Sequence, residues 1–234
     1  MKYRCNEERE ELVMASKKLA ALGYVASKGG NLSLRIEGGL LITPKGCSKK
    51  DVTKRNIVVM DIQGRVLSAL DGVLPSSEAS THLRILKKRP DIKGVIHAHP
   101  PVLTGFSFTD LDILSRPIHP EMIIEIGSVA SAPYAEPSSD KLADSLEPFL
   151  MKTNTFLLKN HGVVICSSIG VNHALELLEM LESMAYAILV GLRIGKINEI
   201  PKEEIDKLDA IMRERKLPIP GAPGAVKHLH DYFF

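Results

Sequence analysis

Two spacings of apolar residues alternate along the chain, and the switches between them mark its elements. Leu12, Ala15, Leu19 and Leu22 recur at helical spacing. That predicts an amphipathic helix over 6–22, with Asn6 as N-cap, Glu residues in the opening turns and Gly23 as the stop. Leu32, Leu34 and Ile36 then alternate with Ser33 and Arg35 as a strand, and 40–43 follows the Gly38-Gly39 turn as its antiparallel partner. Ser48 caps a short helix to Lys54, 57–60 is a strand, and Gln63-Gly64 turns the chain. Pro75-Ser76-Ser77-Glu78 opens a helix over 77–88, with Ser77 as N-cap. A buried strand at 94–99 is stopped by Pro100-Pro101. Beyond it the pattern predicts a short helix or turn at 102–108, a strand at 122–126 closed by Gly127, and a helix running to Leu150. Two apolar strands over 155–165 are joined by Asn160-His161-Gly162. A long helix over 171–194, a polar helix over 202–215 and a Pro/Gly-rich linker at 218–224 lead to the tail.

This order is a meander of short strands with helices between, not a βαβ repeat. No GxGxxG or Walker pattern occurs, which disfavours a nucleotide-binding domain. The 234 residues suit one large domain over 1–217, with 218–234 as a C-terminal tail. An apolar share of 44% with 25% charged residues is ordinary for a globular protein, and the net charge of +2 is well mixed. The one basic cluster, Lys49, Lys50, Lys54 and Arg55, has no interleaved aromatics. A nucleic-acid groove is therefore not expected, while a small anionic ligand remains open. No apolar run approaches the roughly 20 residues that span a bilayer, and Met1-Lys2-Tyr3-Arg4-Cys5 has no signal-peptide character. Cys5, Cys47 and Cys166 are too few and too scattered for a disulfide framework. A cytoplasmic enzyme or binding domain is the expectation.

The chemistry concentrates at His97-Ala98-His99. Residues two apart on a strand share a face, so both imidazoles project together. A catalytic zinc site typically takes three protein ligands and keeps one position open. Alone, the pair is equally two satisfied histidines at a strand end, and His161, in a turn between buried strands, is placed to be a third ligand. The Ser27-Lys28-Gly29-Gly30-Asn31 turn offers backbone N–H groups and an amide to an anion, or is a tight connection only. Pro44-Lys45-Gly46 puts a cation in a second turn. Ser76 and Ser77 at a helix N-terminus form an anion site as well as a cap. Glu78 follows in the first turn, where carboxylates also occur for dipole reasons alone. His173, His228 and His230 read as surface residues.

Four blocks then fall in order: Gly30-Asn31-x-Ser33, Ile42-Thr43-Pro44-x-Gly46, Pro75-Ser76-Ser77-Glu78 with His97-x-His99, and Asn160-His161-Gly162. Together they resemble the zinc-dependent class II aldolase family, nearest in pattern to its L-fuculose-1-phosphate aldolases, over about residues 7–195. The resemblance implies an α/β fold, an α/β/α sandwich around a mainly antiparallel central sheet, assembled as a cyclic homotetramer with active sites between subunits. It implies Zn2+, or another divalent transition metal, on His97, His99 and His161, with Glu78 as acid/base. It places Gly30, Asn31, Gly46, Ser76 and Ser77 at a substrate phosphate, and Lys45, where the relatives often carry a small hydroxyl residue, would strengthen that binding. The implied reaction cleaves a ketose 1-phosphate to dihydroxyacetone phosphate and an aldehyde. Its enediolate is stabilised by a Lewis-acidic metal and protonated by a carboxylate. A 4-epimerase or a methylthioribulose-1-phosphate dehydratase shares these motifs, and an adducin-like interaction module shares the fold. The chain departs from the fuculose-phosphate aldolases where they carry a tyrosine that protonates the leaving aldehyde oxygen. Here the segment reads Ile118-His119-Pro120-Glu121. Glu121 or His119, reached from a neighbouring subunit, would be the substitute, and Tyr232 in the tail would act in a lid over the site.

Overall fold

In the computed structural model, which describes residues 5–234, eight strands form one sheet. They are β1 (Asn31–Ile36), β2 (Gly39–Ile42), β3 (Val58–Asp61), β4 (Val66–Ser68), β5 (Gly94–Ala98), β6 (Ala130–Ala132), β7 (Thr155–Leu158) and β8 (Gly162–Ser167). Their order is β4-β3-β2-β1-β5-β8-β7-β6. Neighbours are antiparallel except β6 and β7. The reading of Met1 to Arg4 lies outside the described residues.

Alternation gives the sheet two apolar faces. Leu32, Leu34, Ile96, Ala98, Val163 and Ile165 pack under α1 (Asn6–Ala21), α3 (Pro101–Ser107) and α5 (Val171–Ile194). Val95, Val164, Cys166, Leu40 and Ile42 pack under α2 (Ala79–Lys88) and α4 (Asp140–Leu146). The result is the expected α/β/α sandwich around a mainly antiparallel sheet. Arg35 ties α2 to the sheet from below. Its Nε donates to Ile92 O at 2.7 Å, and its Nη2 donates to Leu86 O at 2.6 Å and Arg89 O at 3.1 Å, filling carbonyls at the end of α2.

Several elements differ from expectation for identifiable reasons. Asn6 is the first helical residue of α1, and Cys5 holds the N-cap position. The short helix after Ser48 is a single 3₁₀ turn, Lys49–Asp51. Residues Met122–Ile126 form a π-helical turn instead of a strand, closed by Gly127 N–H donating to Met122 O at 3.0 Å. A continuous apolar run does not distinguish the two. The turn sends Met122 and Ile126 into the core beneath α5 and Ile123 into a separate cluster. α4 stops at Leu146, two residues before Pro148. Strands β4 and β6 were invisible in the pattern: β4 is exposed at every position, and β6 is Ala-Ser-Ala.

The tail folds back on α6 (Lys202–Glu214). Leu229 joins Ile123, Ile205 and Met212 in a small apolar cluster. Asp209 latches it, accepting from Leu229 N–H at 3.0 Å and from Arg213 Nε at 2.7 Å, with His228 Nδ1 at 3.0 Å. His228 and His230 stack, and each pairs with an aspartate of α6. Burial raises the Asp209 carboxyl, but these donors outweigh it and hold its pKa below the ordinary value. A depressed carboxylate stabilises the folded form above the unfolded pKa, and that contribution is lost as pH falls through the lower folded value. Hydrogen exchange over residues 218–234 is therefore expected to rise below about pH 4, and Asp209→Asn should reproduce that loosening at pH 7.

Candidate functional site

The backbone register brings the site together. Asn31 on β1 pairs with His97 on β5, so both side chains leave the sheet on the α2 side. His99 follows just past the end of β5, held by its N–H donating to Tyr24 O at 2.8 Å. His161 comes from the β7–β8 turn, where Asn160 adopts a left-handed φ of 55°. The three rings lie within 4.6–5.2 Å of one another, centroid to centroid.

These histidines fit a divalent metal. One ligand nitrogen from each lies within 4.8 Å of the others. The Nε2 atoms of His97 and His99 face each other at 3.0 Å, near the about 3.3 Å edge of a tetrahedron built on zinc–nitrogen bonds. His97 Nδ1 lies 3.0 Å from Val163 O, a carbonyl that can only accept. The proton is therefore fixed on Nδ1 and the Nε2 lone pair faces the cluster, the arrangement by which outer partners orient metal-bound histidines. Burial lowers the pKa of all three rings, His97 to about 4, so they stay neutral and able to ligate.

Glu78 completes the cluster. It occupies the N-cap position of α2, which begins at Ala79, two residues later than the pattern predicts. Its carboxylate makes no capping bond. Instead Oε2 accepts from Asn31 Nδ2 at 2.7 Å and lies 3.3 Å from His97 Nε2, while Oε1 lies 3.7 Å from His161 Nε2. Burial raises its pKa, but His97, the Asn31 donor, His161 and His82 outweigh that and hold it low.

The same cavity, about 170 Å³, is lined by Gly30, Asn31, Lys45, Gly46, Ser76 and Ser77, all expected at an anion, beside Glu78 and the three histidines. Two turns build that wall. Ser76 N–H donates to Thr43 O, and Lys45 N–H donates to Leu74 O, which ties 43–46 to 74–77. Ser77 is exposed, whereas the Ser76 hydroxyl already accepts from Glu78 N–H at 3.3 Å. Gly30 has a φ of 67°, and a Cβ there would sit 2.4 Å from Val25 Cγ1. A glycine is therefore required on steric grounds as well.

Glu121 and Tyr232 do not join this cavity within the chain. Glu121 is exposed ahead of the π-helical turn. Tyr232 packs against Gly127, its hydroxyl donates to Pro220 O, and burial pushes its pKa up. Reading the sequence alone missed three contributors. Lys28 and Ser138 line the cavity. Lys49, read only as part of a basic cluster open to a small anion, is 1% exposed, with its Nζ donating to Cys47 O at 2.7 Å. Burial lowers its pKa, and no carboxylate lies within ion-pair distance among the described residues. A larger cavity of about 820 Å³ lies between the start of α5 and the tail, with no comparable histidine cluster among the described residues.

Comparison with known proteins gives a consistent result. The family model for the class II aldolase and adducin N-terminal domain matches residues 10–189. The chain is 32% identical over 206 residues to the 3-oxo-tetronate 4-phosphate decarboxylase of Haemophilus influenzae, covering 86% of this chain and 96% of the relative. It is 32% identical over 193 residues to an Escherichia coli L-fuculose phosphate aldolase, covering 81% and 86%. Among solved structures, an L-fuculose 1-phosphate aldolase superposes with a TM-score of 0.80 at 29% identity, covering 90% of this chain and 97% of the other.

Gly162 tests the packing behind the ligands. A Cβ there would lie 2.5 Å from Ala98 O and 2.6 Å from His99 Cδ2. Gly162→Ala should displace the His99 ring and weaken divalent-metal binding by about 10-fold or more, read by chelator competition.

Proposed function

The chain belongs to the class II aldolase and adducin N-terminal domain family, and from that premise we propose that it is a metal-dependent carbon–carbon lyase. Its substrate is a short phosphorylated keto acid or ketose, and its product is dihydroxyacetone phosphate. When bound on His97, His99 and His161, a divalent metal, Zn2+ by the chemistry of three imidazoles, supplies Lewis-acid stabilisation of an enediolate.

Two reactions pass through the same three-carbon enediolate. In a 3-oxo-tetronate 4-phosphate the carboxylate is β to the ketone. Breaking the C1–C2 bond releases CO2 and leaves the electron pair on C2, conjugated with the C3 carbonyl. A proton delivered to C2 gives dihydroxyacetone phosphate. In a ketose 1-phosphate the C3–C4 bond breaks, and the O4 proton must also be removed as the aldehyde forms. Decarboxylation therefore needs one proton carrier, and aldol cleavage needs two.

A single observation favours the first. Glu78 is the one carboxylate lining the cavity among the described residues, and no tyrosine lines it. Glu78 carries the proton to C2. The negative charge of a bound substrate beside it favours its protonated form, so proton uptake accompanies binding. Lys28, Lys45 and Lys49 add positive charge at the cavity wall, which suits a substrate anionic at both ends. Ser76, Ser77, Gly30 and Gly46 take the phosphate and set the register of the reacting carbons. Aldol cleavage of L-fuculose 1-phosphate or a similar ketose is the second reading, supported by the identity to the fuculose phosphate aldolase. It requires an acid/base from a neighbouring subunit. The intact histidine and Glu78 set favours an enzyme over an adducin-like module. No helix among the described residues is long and apolar enough to cross a membrane, and we place the enzyme in the cytoplasm. Exposed Tyr186, Val190 and Ile194 on α5 support assembly, for which we propose the homotetramer.

The deciding experiment offers zinc-loaded protein a 3-oxo-tetronate 4-phosphate and, separately, L-fuculose 1-phosphate. It assays CO2, aldehyde and dihydroxyacetone phosphate. Release of CO2 with dihydroxyacetone phosphate, abolished by chelation and lowered about 10²–10⁴-fold in Glu78→Gln, is expected. Faster release of aldehyde would replace this reading with the aldolase, and neither product from metal-loaded protein would refute both.

A further inference from the structure

Behind Glu78 lies a row of buried polar groups that metal and phosphate binding leave unexplained. His82 is four residues after Glu78, so it projects from the same side of α2. α2 lies over β1, where Asn31 and Ser33 are two apart and share a face. His82 is 1% exposed, yet both of its ring nitrogens are satisfied. Nε2 is 2.5 Å from Asn31 Oδ1, and Nδ1 is 2.7 Å from Ser33 Oγ. Asn31 Nδ2 in turn donates to Glu78 Oε2 at 2.7 Å.

We infer that His82 is a positioning residue for Glu78, acting through Asn31 in a one-way chain of donors that starts at Ser33 and ends on the carboxylate. The direction follows from what each group can do. Asn31 Oδ1 only accepts, so His82 Nε2 carries the proton. Burial keeps the ring neutral, with its pKa pushed down to about 3, so Nδ1 is bare and accepts from the Ser33 hydroxyl. With Oδ1 committed to His82, the Asn31 amide has one orientation, which turns its N–H toward Glu78. Without His82 the amide can rotate by half a turn and set Oδ1 against the carboxylate, acceptor against acceptor.

Each bond in the row points toward Glu78 and polarises the next. Oε2 is clamped, and Oε1 is left on the His161 side of the cavity as the oxygen that carries the proton. An amide does not pass a proton along, so His82 fixes where Glu78 stands and takes no part in the transfer. The role extends the proposed function and rests on its assignment of Glu78.

The test compares His82→Leu, His82→Gln and Ser33→Ala in the full-length, zinc-loaded protein, with Glu78→Gln as control. His82→Leu is expected to lower kcat about 10–100-fold, with KM and zinc stoichiometry unchanged. His82→Gln, whose amide can donate to Asn31 Oδ1, should recover most of the loss, and Ser33→Ala should fall between. The nitrogen-15 spectrum of the wild-type ring supplies a readout independent of activity and of variant folding. At pH 7 His82 should show a protonated Nε2 and a bare Nδ1. A proton on Nδ1, a charged ring, an unchanged kcat in His82→Leu, or zinc loss in that variant each overturns the inference. An active Glu78→Gln would instead overturn the role given to Glu78 itself.

Discussion

The ladder between β1 and β5 is the constraint on which the rest of the site depends. Its register sets Asn31 opposite His97 and Ser33 opposite Val95. A slip of one residue would turn every one of these side chains to the other face. His97 would then enter the apolar layer beneath α5, and Ile96 would take its place among the polar groups. The register is held from both sides of the alternation. Leu32, Leu34, Ile96 and Ala98 belong to one core, and Val95 belongs to the other.

Two fixed anchors then bring α2 to that face. Arg35 fills carbonyls at the C-terminal end of the helix. At the other end, the bonds between the 43–46 and 74–77 turns set where the helix begins. Between them, His82 meets Asn31 and Ser33, and Glu78 faces the histidines. The cavity is thus walled by a sheet strand, a helix N-terminus and two turns. These elements suit the proposed chemistry, which depends on one carboxylate standing at the right distance. The proposed chemistry turns on economy of protons. With one carboxylate in the cavity, loss of CO2 asks nothing more of the chain, whereas loss of an aldehyde asks for a second acid/base group.

Much of this was legible in the residues. Period-two alternation at 32–36 and the apolar runs at 94–98 and 155–165 specified strands, because each buries a face that no other element could cover. The His-x-His pair on one of those strands was readable as a candidate metal site because strand geometry sets both rings on one face, and the resemblance to the class II aldolases added His161 from the turn between two others. Helices α1 and α5 followed from helical spacing, and α2 from its Pro-Ser-Ser-Glu opening. The π-helical turn at 122–126 did not, since a short apolar run fits several backbones and only packing between two clusters selects one. The strands β4 and β6 carry no apolar alternation and exist because a neighbouring edge pairs with them.

Tertiary structure alone decided the rest. Lys49 stood in the sequence only as one of four clustered cations, and chain folding buried it against the cavity. Nothing in the helix read over 77–88 singled out His82, and only the approach of α2 to β1 gave both of its nitrogens partners. Glu121 and Tyr232 were candidates by position in the chain, yet folding spends the Tyr232 hydroxyl on Pro220 and leaves Glu121 in solvent. The sequence by itself determined six of the eight strands and the candidate histidines and carboxylate, because those depend on local period and side-chain type. Which polar groups stand within hydrogen-bonding distance of one another depends on contacts far apart in the chain, such as Asn31 with Glu78 and His82. Such contacts have no period to read, and only the packed structure could assign them.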